Sequence, residues 1–353
     1  MTGGNVWWGQ IGNSLRLLTQ LSNCLRDCRS VVLQAPQGLP WKQIFYETLD
    51  LRRSDFSSQR RLKRLPWEEG ADPGEFVLDE LCSRKVQADY WPGKTYGEYL
   101  GSREDLILND YYVWITGIRS KTDLTHWVEF LTQYHRAGSD PEQQAVFCLE
   151  YTGAPMEVTG LENLVYSVER YDCRVFCLEA AAALKNTDLR TYQAEMALSI
   201  AGADPELCFA LLNQGMKLLY QPVQTAVTTA ASGCYSSGAL FPVLRDQQAT
   251  VAAREAALVL LFPILERYRM GIIEGHSPEL ARHLPITNSN GDRVTDVWDL
   301  EIGQLLYIVS TNGKGFSQTE VETIRLCRNV RNQLAHNKPV SYEQAKAVFA
   351  LGK

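Results

Sequence analysis

The sequence predicts an α/β N-terminal domain with a parallel sheet, followed by an all-α middle region and a C-terminal helical bundle. Three observations carry this. Short continuous apolar runs alternate with amphipathic segments as far as Gly153, strand-like runs then cease, and two helix-start signatures mark the C-terminal stretch. A chain of 353 residues is also too long for one ordinary core, because domains cluster near ~100–150 residues. The expected boundaries are residues 1–153, 154–240 and 241–353.

Ile11, Leu15, Leu18, Leu21, Leu25 and Cys28 recur at helical spacing, and Ser30 to Ala35 then reads as a short buried strand. The turn Pro36-Gln37-Gly38-Leu39-Pro40 leads to a helix from Trp41. Asp110 to Ile118 holds a second strand, Asp123 to His135 a helix, and Ala145 to Glu150 a third strand. Strands separated by helices of this length imply right-handed crossovers and a parallel sheet. Beyond Met156 the pattern is helical, clearest at Phe176 to Leu184, Leu189 to Ile200 and Pro205 to Leu212. Thr225 to Gly238, rich in Ala, Thr, Ser and Gly, reads as a linker.

The last unit reads as four helices. Gln247 to Ile273 is expected to bend at Pro263, because proline removes a hydrogen bond and clashes with the preceding turn. Asp299 to Val309 places Ile302, Leu305, Leu306 and Val309 on one face. Ser317-Gln318-Thr319-Glu320 and Ser341-Tyr342-Glu343-Gln344 fit the capping box, in which two side chains satisfy two unpaired amides reciprocally. Val321, Ile324, Val330 and Leu334 mark the buried side of the helix that starts at the first box, and Pro339 marks its end.

A net charge of −6 argues against a chain that coats nucleic acid by bulk electrostatics, so any such contact must be focused. The longest apolar stretch, Ala256 to Ile264, falls short of the roughly 20 residues a bilayer span needs. No membrane span is expected, and the opening residues lack a signal pattern, which points to a cytoplasmic chain. Nine scattered cysteines read as reduced thiols. Cys24 with Cys28, and Cys173 with Cys177, read as helical core packing and not as metal ligands, and no metal or cofactor is expected.

The most informative segment is Leu326-Cys327-Arg328-Asn329-Val330-Arg331-Asn332-Gln333-Leu334-Ala335-His336-Asn337. It resembles the HEPN superfamily of small helical domains, many of them metal-independent ribonucleases, whose signature is Arg, four to six residues, then His, often with a polar residue after the Arg. Arg331, Asn332 and His336 match that signature. The spacing also occurs at Arg119 to His126 and Arg269 to His276, so context separates the third match: Asn follows the Arg, and the segment ends a capped helix. The resemblance implies that these three residues are catalytic, that the partner is RNA, and that two protomers pair through this domain.

Histidine titrates near neutral pH and can take the proton of a ribose 2′-hydroxyl, while a guanidinium holds the phosphate whose charge grows during attack. Residues five apart on a helix are rotated by roughly 140°, so Arg331 and His336 do not share one face. The alternative role for His336 is to cap carbonyls at the helix end. Arg325, Arg328 and Arg331 recur every third residue, and with Lys338 they form a basic stripe suited to phosphate contacts or to a solvated face paired with glutamates.

The turn after the first strand is the second candidate. Val31-Val32-Leu33-Gln34-Ala35-Pro36-Gln37-Gly38-Leu39-Pro40-Trp41-Lys42-Gln43 resembles a P-loop NTPase of the AAA or STAND type whose phosphate site has decayed. Proline donates no amide, Trp41 fills the place of a glycine, and Gln43 lacks the hydroxyl that holds magnesium. The basic run Arg52, Arg53, Arg60, Arg61, Lys63 and Arg64 reads as a solvated loop or as a contact for an acidic partner. Trp7, Trp8, Trp41, Trp67 and Trp91 are candidates for a partner surface if exposed. The functional expectation is a HEPN-like effector governed by a degenerate NTPase-like domain, in a bacterial defence or toxin system. A non-catalytic adaptor within a larger defence complex and an ATP-dependent switch are the other two readings.

Overall fold

A computed structural model describes residues 2–56, 60–103, 107–138, 140–183, 187–287, 291–312 and 315–352. The chain divides into two compact units, Met1–Asp172 and Cys173–Lys353. The first is α/β and the second largely helical.

In the first unit the order is α1 (Gly3–Gln10), α2 (Gly12–Arg26), β1 (Val31–Gln34), α3 (Lys42–Ser54), β2 (Arg61–Pro66), α4 (Pro73–Leu81), α5 (Arg84–Ala88), α6 (Tyr96–Gly101), β3 (Tyr111–Ile118), α7 (Lys121–Ala137), β4 (Val146–Tyr151), β5 (Glu162–Val165) and α8 (Arg170–Ala180), which runs across the boundary. The strands form one parallel sheet ordered β2-β3-β4-β1-β5. β1 and β4 are buried along their whole length, which is why their sequences are continuous apolar runs with no alternation. Against one side of the sheet lies a core of Val113, Ile115, Phe147 and Leu149 from the strands with Leu124, Trp127 and Leu131 from α7.

The edge strands depart from expectation. The basic run is not a loop: Arg61 to Pro66 pair with Tyr111 to Thr116 as an edge strand. Charged side chains there fit an edge, since they discourage a further strand from adding. The Arg64 guanidinium lies 4.6 Å from the Tyr46 ring centre, and Lys63 Nζ donates to the Glu80 carbonyl at 2.6 Å. At the other edge β5 pairs with β1, so the α/β unit runs past Gly153 to Asp172. Trp7, Trp8 and Trp67 are core residues and not a surface; Trp91 is exposed.

The second unit holds α9 (Thr187–Ala201), α10 (Pro205–Leu212), α11 (Met216–Tyr220), α12 (Pro222–Ser232), α13 (Asp246–Ala281), a two-stranded ribbon of β6 (Ile286–Thr287) and β7 (Arg293–Val294), α14 (Ile302–Asn312), α15 (Gln318–Ala335) and α16 (Tyr342–Leu351). The expected linker contains α12, whose Ala226, Thr229 and Ala230 are buried at helical spacing. Such small side chains let α12 lie against α13, and α9 packs there too, so the middle and C-terminal helices form one unit with no boundary at residue 240.

Both capping boxes form. α13 keeps Pro263 inside the helix, and its one departure from helical dihedrals is at His276 (φ −122°, ψ 18°), just before Pro278. The proline ring that breaks the regular path is therefore the second one. By length and composition α13 is apolar enough to cross a membrane, contrary to the expectation of no such segment, yet α9, α12, α15 and α16 pack around it. Cys173, Cys177 and Cys208 are wholly buried, and mutual thiol contacts together with burial push Cys208 well above its ordinary pKa. Leu184 lies outside the described residues.

Candidate functional site

Arg331 sits in the last two turns of α15, carried there by the register that buries Ile324, Cys327, Val330 and Leu334. Its Nη2 donates to Glu301 Oε2 at 3.2 Å. Two recesses meet at this side chain. One, of about 460 Å³, is lined by Arg254, Phe262, Glu266, Arg269, Trp298 and Leu334 among others. The second, of about 710 Å³, includes Val294, Gln304, Tyr307, Arg328 and Asn332. Asp299, Glu301, Ile302 and Arg331 line both, so the recesses are two arms of one groove.

Of the residues singled out in the sequence, the groove gathers Arg328, Arg331 and Asn332. His336 is exposed and belongs to neither lining. It is the C-cap of α15, where its N–H donates to the Asn332 carbonyl at 3.0 Å. Asn337 follows in the left-handed region (φ 55°), and the Lys338 N–H closes on the Gln333 carbonyl at 2.8 Å. This closure satisfies carbonyls that a helix end leaves unpaired. Lys338 lines a separate small cavity of about 40 Å³, and Arg325, though exposed, belongs to neither arm of the groove. Arg331 and His336 thus do not meet in one recess of a single chain, as their roughly 140° separation on a helix anticipates.

Two arginines join the site from α13. Arg254 Nε donates to the Leu334 carbonyl at 2.9 Å. Arg269 donates to Glu266 Oε2 at 2.9 Å and to the carbonyls of Trp298 at 3.2 Å and Leu300 at 3.0 Å. A signal for them exists in the sequence: Arg254, Leu258, Phe262, Glu266 and Arg269 recur every three or four residues, a polar and aromatic stripe on an apolar helix. His276, of the second spacing match, instead stacks on Phe316 and lies 2.9 Å from Glu320 Oε1. The Ser317 backbone N–H, the His276 ring and the Ser317 hydroxyl hold the Glu320 carboxyl down at about 2.

The turn after β1 in the first unit is filled by the protein itself. In open α/β sheets ligands bind beyond the carboxyl ends of the strands. Here Lys42 Nζ is 2.6 Å from Glu150 Oε1, on a carboxylate that is 2% exposed. Glu150 Oε2 accepts from the Tyr46 hydroxyl at 2.7 Å and from Trp114 Nε1 at 3.0 Å. Trp41 occupies the left-handed region (φ 45°), and Trp8 Nε1 donates to the Pro40 carbonyl at 2.7 Å. α1 lies so close that a Cβ on Gly4 would fall 2.9 Å from Trp41 Cβ. Where a phosphate-binding lysine reaches for outer phosphates, Lys42 holds an internal carboxylate.

A third constellation lies at the amino ends of β1 and β4. Gln144 Nε2 donates to the Tyr134 carbonyl at 2.9 Å, which turns its Oε1 toward His135 Nδ1 at 3.0 Å. Nδ1 therefore carries the proton, and His135 Nε2 accepts from the Ser30 hydroxyl at 2.9 Å. Burial pulls His135 below its ordinary 6.5, against the Gln144 bond. The order of groups resembles a nucleophile relay, but a carboxamide offers no charge to stabilise an imidazolium. Ser30 Oγ is also buried and accepts the Phe147 N–H at 3.0 Å, so it pins β1 to β4.

Compared with known proteins, the chain matches no family model and no curated protein.

Proposed function

We propose that the C-terminal unit is a HEPN-like, metal-independent endoribonuclease, governed by an N-terminal unit that resembles a degenerate NTPase, in a bacterial defence or toxin setting. The observation that carries this reading is the position of Arg331 where two arms of a groove meet, with Arg254, Arg269 and Arg328 around it. A guanidinium so placed can hold a phosphodiester and stabilise the charge that develops as the 2′-hydroxyl attacks. His336, one turn further on, is an exposed imidazole able to take the hydroxyl proton. Because His336 stands outside the groove of its own chain, the reading requires a homodimer through the C-terminal unit, in which two motif pairs flank one substrate.

The test is cleavage of RNA in the presence of EDTA. Products should carry 2′,3′-cyclic phosphate ends, and DNA, lacking the attacking hydroxyl, should resist. His336→Ala and Arg331→Ala should each abolish cleavage with unchanged thermal melts, while His126→Ala, at an exposed site in the first unit, should retain it. One observation favours the adaptor reading: Glu301 already occupies Arg331. A well-folded His336→Ala protein that cleaves at full rate, or a wild type inert toward RNA that still binds a protein partner, decides for the adaptor.

A further inference from the structure

We infer that Trp298 and Tyr307 stack on the bases either side of the phosphate held by Arg331, and that Glu301 is a resident competitor which this phosphate displaces. The inference rests on the reading of the groove as an RNA site. Each arm of the groove presents an exposed aromatic residue beside Arg331, Trp298 (45% exposed) in the first and Tyr307 (66% exposed) in the second, and Arg331 is common to both. Phe262 adds a further exposed ring to the first arm. A base–phosphate–base unit of an unpaired strand has the same alternation. Aromatic faces beside cationic groups are the usual platform for single strands, because every base has a π-face while the backbone alone carries charge.

Among the described residues neither the Trp298 indole nor the Tyr307 ring makes a side-chain hydrogen bond or ring contact. Trp298 anchors Arg269 through its backbone carbonyl, which leaves the indole out of that bond. The groove is not a uniformly basic surface: four arginines face Glu266, Asp299 and Glu301. Glu266 is held by Arg269. Glu301, 67% exposed, lies on Arg331 alone among the described ion pairs. An ion pair so open to water is worth little, so a phosphodiester can replace the carboxylate at small cost. The exchange also predicts a sign that a merely structural Glu301 would not produce. Removing its charge strengthens binding.

The experiment measures fluorescence polarisation of the full chain with a labelled 12-nucleotide single-stranded RNA and with the same sequence as a duplex. Stacking of one base is worth about 1–3 kcal/mol, so Trp298→Ala and Tyr307→Ala should each weaken single-strand binding roughly tenfold, and duplex binding much less. Trp298→Phe and Tyr307→Phe should restore it. Glu301→Gln should tighten binding several-fold without flattening its salt dependence, whereas Arg331→Gln should weaken binding and flatten it. If the wild type binds the single strand and the alanine variants bind it equally well, the stacking inference fails while the RNA reading stands. If Glu301→Gln weakens binding, the competitor assignment fails. A wild type that binds neither RNA overturns both this inference and the reading beneath it.

Discussion

Each unit contains an ion pair at its candidate site, and the two differ in one respect. Lys42–Glu150 and Arg331–Glu301 are both cation–carboxylate pairs, 2.6 and 3.2 Å apart, but the first carboxylate is sealed beneath α3 with two further hydrogen bonds, whereas the second stands in solvent. Burial changes what such a pair can do. A desolvated carboxylate needs every partner it has, because an uncompensated charge in low dielectric is costly. The exposed pair holds a guanidinium in place and gives it up readily. The first unit has closed the place beyond the carboxyl ends of its strands where open α/β sheets bind ligands. The second keeps its cation available.

The largest expected effect is on the buried pair. Glu150→Ala leaves Lys42, the Tyr46 hydroxyl and the Trp114 N–H without their acceptor, and should destabilise the first unit by about 3–5 kcal/mol. Seven of the eight tryptophans lie in that unit, so intrinsic fluorescence in a urea titration reads it selectively. A loss below about 1 kcal/mol would erase the contrast between the two pairs.

The next effect is acid sensitivity of the second unit. Glu320 is held at about 2, below its ordinary 4.5, so its contribution is complete above pH 4.5 and is lost as pH falls toward 2. Glu320→Gln should flatten that part of the stability–pH profile measured by far-ultraviolet circular dichroism, and an unchanged acid limb would show that Ser317 and His276 do not hold the carboxylate.

The smallest effect belongs to the exposed pair. Glu301→Ala should shift the melting of the second unit by an amount equivalent to less than about 1 kcal/mol. A larger loss would make Glu301 structural and remove the reason to regard Arg331 as available.

Legibility followed the range over which each structural cause acts. The boxes at Ser317/Glu320 and Ser341/Gln344 close within four residues and could be read directly. β1, β3 and β4 could be read because a strand flanked by neighbours in the middle of a parallel sheet is apolar along most of its length. Of the five strands of the parallel sheet, the two that the sequence does not show, β2 and β5, are its edges. An edge strand is paired on one side only, so Arg61, Lys63 and Arg64 suit β2 while disguising it as a loop. α12 was hidden differently: Ala226, Thr229 and Ala230 look like linker residues until α13 is beside them.

Neighbours along the chain set the class of each unit, the position of the central strands and the helix starts near the C-terminus, because each depends on residues close in sequence. Only the packing of whole elements brought Arg254 and Arg269 to the groove of Arg331, set Glu301 on that arginine and let Glu150 capture Lys42. Glu150 lies 108 positions from Lys42, and Arg254 caps a carbonyl 80 positions away. Pairings at such distances are chosen by how whole elements pack: the stripe on α13 marks Arg254 and Arg269, but not the partners they reach.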